Sequence, residues 1–239
     1  MVYFFDGSTD GFLTAFLAAF SDEHALVSSK NIQLPLGQAP TFIQSNPTKA
    51  KNDAIRLTQF DKNCLHDLDT LLRCGVENNE QIAFEYLRTL AKIKKTIRNR
   101  FALPEVFNAV TCMKKVGLEI HHLHGFIRFI QTESGALYAP FSPDNDVCDL
   151  LLPHFKARFS EFAFVLHDVK RSKAAVYDGK NDFVAPLAQA DVLISADELE
   201  WQSLWKQYYN AVNIPERERL KQMRSYLPVR YWKFMIEKQ

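Results

Sequence analysis

The densest group of ionisable side chains in the sequence is Glu119-Ile120-His121-His122-Leu123-His124. A histidine beside a carboxylate can act as a general base near pH 7, because its ordinary pKa lies close to that pH. Glu119 and His121 are therefore a candidate acid–base pair. Imidazoles also bind metals, but this spacing matches no metal motif such as His-Glu-x-x-His. The alternative is a polar helix end whose imidazoles bind backbone carbonyls.

Two carboxylates, Asp144 and Asp146, stand in a turn before a predicted helix that carries His154. Paired carboxylates could hold Mg²⁺ or assist a hydrolytic reaction. A helix N-cap and a first-turn acid explain the same two residues, because negative charge is favoured at a helix N-terminus. The sequence leaves both interpretations open and predicts no metal site.

A basic turn follows His167-Asp168 and contains Lys170, Arg171 and Lys173. It stands at the end of a predicted strand, where basic side chains can contact the phosphates of a nucleic acid. Charged residues at this position can also protect the edge of a sheet from pairing with another chain. Either role fits the pattern.

The run Arg230-Tyr231-Trp232-Lys233-Phe234 alternates basic and aromatic residues. Such a mixture suits stacking on bases and contact with phosphates in single-stranded nucleic acid. The alternative is a tryptophan that packs onto the domain. We expect Trp232 to pack and Arg230 and Lys233 to be exposed. A second basic run lies at residues 92–100.

Several catalytic motifs do not occur in the sequence. It has no P-loop, no Rossmann glycine fingerprint, no Gly-x-Ser-x-Gly elbow and no Cys-x-x-x-Cys-x-x-Cys cradle for an iron–sulfur cluster. Hydrolysis by a P-loop, serine hydrolysis and radical chemistry within this chain are therefore not expected. The four cysteines have neither zinc-site spacing nor a Cys-x-x-Cys pair, so we expect free thiols and no cofactor.

The composition is that of an ordinary globular protein, with 47% hydrophobic and 24% charged residues among 239. The 19 Phe allow a large aromatic core. The formal net charge is only +1, so any binding of nucleic acid must come from local basic patches. The first residues lack the basic run of a signal peptide, and the apolar stretch 12–20 is too short to cross a bilayer. We expect a cytoplasmic protein that does not bind membranes.

Hydrophobic spacing predicts a single α+β domain over residues 1–239, with a possible helical sub-lobe at 48–117. Strands are predicted at 2–5 and 25–28, a loop at 31–47, and helices at 11–20, 48–60, 65–72, 79–101 and 104–116. A hairpin at 126–132 and 136–141 begins an antiparallel sheet. A helix to residue 159 crosses to three further strands at 162–168, 174–177 and 183–187, and helices at 196–212 and 215–226 form a helical tail.

The order of several short motifs resembles a bacterial family described as probable DNA metabolism proteins (domain of unknown function 4130). The resemblance spans nearly the whole chain and is strongest at residues 113–179 and in the tail. The motifs are Tyr3-Phe4-Phe5-Asp6-Gly7-Ser8, residues 119–129, Tyr138-Ala139-Pro140, residues 143–147, residues 151–155 with Arg158-Phe159, His167-Asp168 with Arg171, Tyr177-Asp178-Gly179 and residues 227–233.

This resemblance implies a process and a partner. Members resemble a domain that other proteins carry fused to a uracil-DNA-glycosylase-like domain. Stand-alone members are associated with a radical-SAM protein thought to modify or repair DNA. The family implies no reaction for the chain itself.

Three functions follow as hypotheses. The first is an accessory protein that binds DNA or a modified base and partners a radical-SAM protein. The second is a DNA-acting hydrolase, a nuclease or glycosylase-like enzyme, that uses Glu119 and His121, and the third is a structural module without DNA contact. The candidate nucleic-acid-binding residues are Arg128, Arg158, Lys170, Arg171, Arg230 and Lys233.

Overall fold

The computed structural model describes residues 1–30, 40–212, 214 and 219–238. The chain divides into two compact units, Met1–Val116 and Gly117–Gln239. Helices and mostly antiparallel strands confirm the predicted α+β class. The possible sub-lobe at 48–117 ends close to the boundary between the units, but the first unit also contains a sheet that precedes residue 48. The single domain over 1–239 stays a prediction.

The first unit contains a three-stranded parallel sheet. Its strands are β1 (Val2–Phe4), β2 (Leu26–Ser28) and β3 (Pro40–Phe42), in the order β2-β1-β3. The first two strands were predicted, whereas β3 replaces part of the expected loop at 31–47. Residues 31–39 of that loop lie outside the described residues. Strand β3 begins with a proline, which a strand tolerates at its first residue because proline has no N–H to donate.

The helices of the first unit follow the predicted order. They are α1 (Thr9–Ala19), α2 (Pro47–Phe60), α3 (Cys64–Arg73) and α4 (Asn79–Ile93), followed by α5 (Pro104–Phe126), which continues beyond Val116. The Ser8 hydroxyl caps α1 by accepting from Gly11 N at 2.9 Å. Asn46 caps α2 through Lys49 N at 3.0 Å, so α2 begins one residue before the predicted start at residue 48.

Two helix ends differ from the prediction. Helix α4 ends at Ile93 instead of reaching residue 101, because Lys94 adopts a left-handed conformation with a φ of 55° and Ile97 turns into the core. Helix α5 passes through Gly117 and extends to Phe126, beyond the predicted end at residue 116. A glycine inside a helix costs about 1 kcal/mol, and buried Val116 and Leu123 on either side keep α5 continuous.

The core of the first unit is aromatic and also encloses buried carboxyl groups, of which Asp67 is the most deeply buried. Phe16 contacts Phe84 edge to face, with ring centroids 5.8 Å apart. Asp67 is fully buried and accepts hydrogen bonds of 2.9 Å from the Tyr86 hydroxyl and from Arg98 Nη1. Arg98, part of the basic run at 92–100, therefore has a structural partner.

The second unit contains a five-stranded sheet in the order β4-β5-β6-β7-β8. Its strands are β4 (Ile130–Gln131), β5 (Leu137–Phe141), β6 (Phe164–Asp168), β7 (Lys173–Tyr177) and β8 (Asp182–Pro186). All neighbours are antiparallel except β5 and β6, which are parallel and are joined through α6 (Leu152–Arg158). The hairpin was predicted, but its first strand is shorter than 126–132, because α5 extends to Phe126.

Helices complete the second unit. A 3₁₀ turn at Asp149–Leu151 precedes α6, and α7 (Ala196–Val212) has the predicted bounds. Helix α8 (Leu220–Tyr226) forms the last seven residues of the predicted helix 215–226, whose residues 215–218 lie outside the described residues. The 3₁₀ turns Val229–Phe234 and Ile236–Lys238 follow. The sheet packs through buried Phe141, Phe155 and Phe164.

Candidate nucleic-acid interface

Glu119 lies on α5 and is only 3% exposed, yet its carboxylate accepts five hydrogen bonds. Asp144 N, Asn145 N and Asn145 Nδ2 donate at 2.9, 2.7 and 2.7 Å. The Tyr231 hydroxyl donates at 2.6 Å and Arg230 Nη2 at 2.9 Å. Oε1 therefore has partners from the turn and from the tail, and Oε2 has partners from the turn.

These partners keep Glu119 ionised although it is buried. Burial raises the pKa of a carboxyl group, but the hydrogen bonds from Tyr231, the two turn amides and Arg230 outweigh burial and lower the pKa of Glu119. A carboxylate that must act as a general acid needs a raised pKa and a free position for the proton. The environment of Glu119 instead suits a structural anion.

The turn at Asp144 and Asn145 is held from a second side by Arg171. Arg171 Nη1 donates to Pro143 O at 3.1 Å and to Asp168 Oδ2 at 2.9 Å, and Nη2 donates to Asp144 O. Asp168 is fully buried and also accepts from Lys170 N and Arg171 N. Glu119, Asp168, Arg171 and Arg230 thus converge on one turn, which we call the Glu119 hub.

The acidic residues of the turn also have basic partners. Asp144 pairs with Arg230 at 3.1 Å, and the Lys170 ammonium lies 3.9 Å from it. Asp146 pairs with Lys173 at 2.9 Å. No group of three or more His, Cys, Asp or Glu that could hold a metal ion lies in the described part of the chain. The hub is an ion-pair network of the kind that fixes a turn.

His121 does not join Glu119 in the hub. It is exposed on α5, whereas Glu119 is buried. The ring of His124 instead stacks on that of His154, with centroids 4.0 Å apart and an interplanar angle of 15°. Burial, followed by the nearby His154 and His121, lowers the pKa of His124, and its Nε2 has no hydrogen-bond partner among the described residues.

His167 has a structural partner on each ring nitrogen. Nε2 lies 2.9 Å from Leu187 O, and a carbonyl only accepts, so this nitrogen carries the proton. Nδ1 then accepts from the Tyr138 hydroxyl at 2.6 Å. The side chain is 2% exposed, so His167 connects β5 and β6 to the segment after β8.

A groove of about 750 Å³ lies between α7 and the segment that joins α5 to β4. Its walls are mainly apolar, and Leu137 of β5 and Ile236 also line it. The aromatic residues in its lining are Phe129, Phe155, Phe159, Trp201, Trp205 and Tyr208. We call this feature the aromatic groove.

Two of the predicted DNA-binding arginines line the aromatic groove. Arg158, at the end of α6, is exposed, and its guanidinium lies 5.3 Å from the centroid of the Phe159 ring. Arg128 donates to Glu237 Oε1 from Nη2 at 2.7 Å and from Nε at 3.2 Å. Glu237 also accepts from Trp205 Nε1 at 3.3 Å, so one carboxylate orients an arginine and a tryptophan of the groove.

The other predicted basic residues lie outside the groove. Arg171 and Arg230 belong to the Glu119 hub, and exposed Lys170 stands beside Asp144. Lys233 is exposed, and its ammonium lies 4.7 Å from the centroid of the Phe234 ring. Trp232 is partly buried and donates to Leu227 O, as the packing interpretation predicted.

Sequence reasoning missed the aromatic residues of α7. Trp201, Trp205 and Tyr208 are spaced by four and three residues, so they lie on one helix face. They are 65%, 42% and 58% exposed, although large aromatic side chains usually lie inside a protein. That spacing was visible in the sequence, and their exposure required the structure.

Comparison with known proteins identifies a family but no solved relative. A family model described as a domain of unknown function, DUF4130, matches residues 77–237. A ribosomal protein L11 methyltransferase from Listeria monocytogenes serotype 4a (strain HCC23) is 24% identical over 117 residues, which cover 48% of this chain and 36% of that protein. The match thus spans about a third of the methyltransferase. No solved structure matches the chain.

No described helix combines the length and apolar character needed to cross a bilayer.

Proposed function

The chain belongs to the family described as domain of unknown function 4130, and we propose that it is an accessory protein in DNA modification or repair that binds unpaired DNA bases in the aromatic groove. The observation that carries this proposal is the lining of the groove, which contains Trp201, Trp205 and Tyr208 together with Phe159 and Arg158.

Exposed aromatic rings favour a ligand with flat faces. A base that stacks on an aromatic side chain gains about 1–3 kcal/mol, whatever its identity, because every base has a π-face. Trp201 and Tyr208 are more than half exposed, so their rings are available without rearrangement of the core. The groove therefore suits bases that have left the double helix.

The volume of the groove fits a single nucleotide better than a DNA duplex. Its volume of about 750 Å³ lies within the range of pockets that enclose small ligands, about 300–1,000 Å³. A duplex hides the faces of its bases in the stack, so it cannot use these rings. Extrusion of a base costs a few kcal/mol, and less for a mismatched or damaged one. We therefore expect single strands and damaged sites to bind best.

Arg158 supplies a charge for the phosphate backbone. Its guanidinium has no ion-pair partner among residues 1–30, 40–212, 214 and 219–238. Arg128 lines the groove and is bound to Glu237, and we expect the face of its guanidinium to stack on a base. Exposed Lys170 and Lys233 extend the predicted phosphate contacts beyond the groove.

An accessory role fits the residues better than hydrolysis. Glu119 is ionised and fully hydrogen-bonded, and His121 is exposed away from it. The chemistry would then come from a partner, and the resemblance to proteins associated with a radical-SAM enzyme supports a partner of that class. The groove would present an unstacked base to it.

Fluorescence anisotropy of a labelled single-stranded oligonucleotide tests the proposal. We expect salt-dependent binding that is stronger for the single strand than for the matched duplex, and about tenfold weaker for Trp205→Ala, which corresponds to about 1.4 kcal/mol. Phe183→Ala removes an exposed ring of β8 outside the groove and should bind like the wild type. Absence of binding, or equal losses for the two variants, would contradict the proposal.

A further inference from the structure

The parallel sheet of the first unit has a topology that commonly forms a ligand site. Strand β1 lies between β2 and β3, so successive strands are added on opposite sides of it. In open parallel sheets, such a reversal of strand order leaves a crevice outside the carboxyl ends of the strands, and ligands bind there. The carboxyl ends of all three strands meet at the same edge.

A crevice of about 430 Å³ occupies that edge. Phe4 and Asp6 approach it from the end of β1, Ser29 and Lys30 from the end of β2, and Phe42 and Ile43 from the end of β3. All six residues precede residue 77, where the match to the family model begins. The crevice is therefore independent of the aromatic groove and of the function proposed for it.

One wall of the crevice is an exposed aromatic ring. Phe42 stacks on Phe4 with ring centroids 5.5 Å apart and an interplanar angle of 23°. Phe42 is nevertheless 79% exposed, so most of its ring surface faces solvent. Stacking a planar ligand on this ring would remove apolar surface from water without disturbing the core.

The polar residues at the crevice have fixed positions. Asp6 Oδ1 accepts from Ser8 N at 2.9 Å and from the Ser8 hydroxyl at 2.6 Å. Lys30 Nζ donates to Asn79 Oδ1 at 3.0 Å, and Glu80, which is 8% exposed, binds Ser29 N at 2.7 Å. The buried first turn of α4 thus holds the end of β2, and the crevice offers one carboxylate and one ammonium.

We propose that this crevice binds a nucleoside monophosphate, with the base stacked on Phe42, donor groups of the base or sugar bound to Asp6, and the phosphate bound to Lys30. A planar ring, hydrogen-bond donors and a negative charge are the three features that match the aromatic face, the carboxylate and the ammonium. A free base lacks the charge for Lys30, and inorganic phosphate lacks the ring for Phe42.

Isothermal titration calorimetry of the full chain with dAMP, deoxyadenosine and inorganic phosphate tests this site. We expect saturable binding of dAMP, binding of deoxyadenosine that is at least about tenfold weaker, and no measurable binding of phosphate alone. Phe42→Leu keeps an apolar side chain against Phe4 but removes the stacking ring, and should abolish the binding of dAMP. Phe107→Leu changes an exposed ring on α5 and should leave it intact.

A second pair of variants separates this site from the aromatic groove. Binding of dAMP that survives Trp205→Ala and is lost in Phe42→Leu supports the crevice. Binding that is lost in Trp205→Ala and survives in Phe42→Leu overturns the crevice proposal and leaves the groove in place. Absence of saturable dAMP binding, or binding of phosphate alone as tight as that of dAMP, also overturns it. Far-ultraviolet circular dichroism confirms that each variant is folded.

Discussion

The Tyr231 hydroxyl donates a hydrogen bond of 2.6 Å to Glu119 across 112 positions of sequence. Arg230, the preceding residue, binds the same carboxylate oxygen and lies 4.7 Å from the centroid of the Tyr231 ring. Two neighbours in the tail therefore contact one buried anion. The tail is part of the folded second unit, and its aromatic–basic pattern has a structural explanation at these two positions.

Replacing Glu119 tests whether the hub is structural. Glu119→Gln removes the charge that faces Arg230 and places an amide donor against the donors of the turn. Breaking a buried ion pair on one side typically costs about 3–5 kcal/mol, and we expect a loss of free energy of unfolding near the lower end, because Arg230 is partly exposed. Urea unfolding measures this loss.

The matched control for that variant is Glu133→Gln, which neutralises an exposed acid in the same unit. We expect it to change the free energy of unfolding by less than about 0.5 kcal/mol. Because the pKa of Glu119 is lowered on folding, its contribution is present above the usual value of 4.5 and is lost as the pH falls through the folded value. If Glu119→Gln unfolds in acid at the same pH as the wild type, the hub does not cause the loss of stability at low pH.

Tyr231→Phe isolates one hydrogen bond of the hub. A hydrogen bond to a charged group contributes about 1.5–3 kcal/mol, so we expect a loss of that size with little change in shape. Tyr226→Phe removes the hydroxyl of a tyrosine that is 66% exposed and serves as the control. Equal midpoints of thermal unfolding for the two variants would show that the Tyr231 hydroxyl does not stabilise the fold.

The stacked pair of His124 and His154 predicts a stability that depends on pH. The pKa of His124 is lowered on folding, so the unfolded chain takes up a proton at a higher pH than the folded chain does. The stability is then fully present above the usual value of 6.5 and is lost as the pH falls through the folded pKa. His124→Phe keeps a ring against His154 and should flatten this dependence.

Unfolding by urea at a series of pH values between about 5 and 8 checks that expectation. The control is His66→Phe, which introduces the same ring at an exposed histidine of the first unit and should keep the slope of the wild type. If the free energy of unfolding of His124→Phe depends on pH as strongly as that of the wild type, another group causes the dependence.

Arg158→Ala separates phosphate contact from stacking. Loss of one phosphate contact should weaken the binding of single-stranded DNA similarly for all sequences and should lower the slope of log K against log salt by about 1. Lys180→Ala removes an exposed charge from the turn before β8 and should leave the slope unchanged. Anisotropy titrations at several salt concentrations measure both. A slope for Arg158→Ala equal to that of the wild type would exclude Arg158 from the interface.

Much of the fold was predictable because local spacing determines it. The apolar spacing of α7 predicts its observed bounds, and the turn chemistry of residues 133–135 predicts the hairpin of β4 and β5. The parallel pairing of β3 with β1 was not predictable, because the two strands are far apart in the sequence and no local pattern indicates that they pair. The end of α4 depends on burial of Ile97, which is a tertiary effect.

The candidate site was also predictable only in part from the sequence. Glu119 stood out from its neighbours in the sequence, but its donors come from residues 144, 145, 230 and 231, and only the fold brings them together. Arg158 could be proposed from a motif. The groove beside it requires α7 to lie against the segment before β4, which the sequence alone does not indicate.

The long span of the Glu119 hub also sets an order of events during synthesis. Residues 230 and 231 leave the ribosome more than 110 residues after Glu119, a delay of roughly 5–20 seconds at ordinary rates of translation. During that time the carboxylate lacks two of its five donors and must keep water around it. The hydrogen bonds of Glu119 can be completed only when residues 230 and 231 have emerged, so we expect the nascent second unit to be more open to proteases until then.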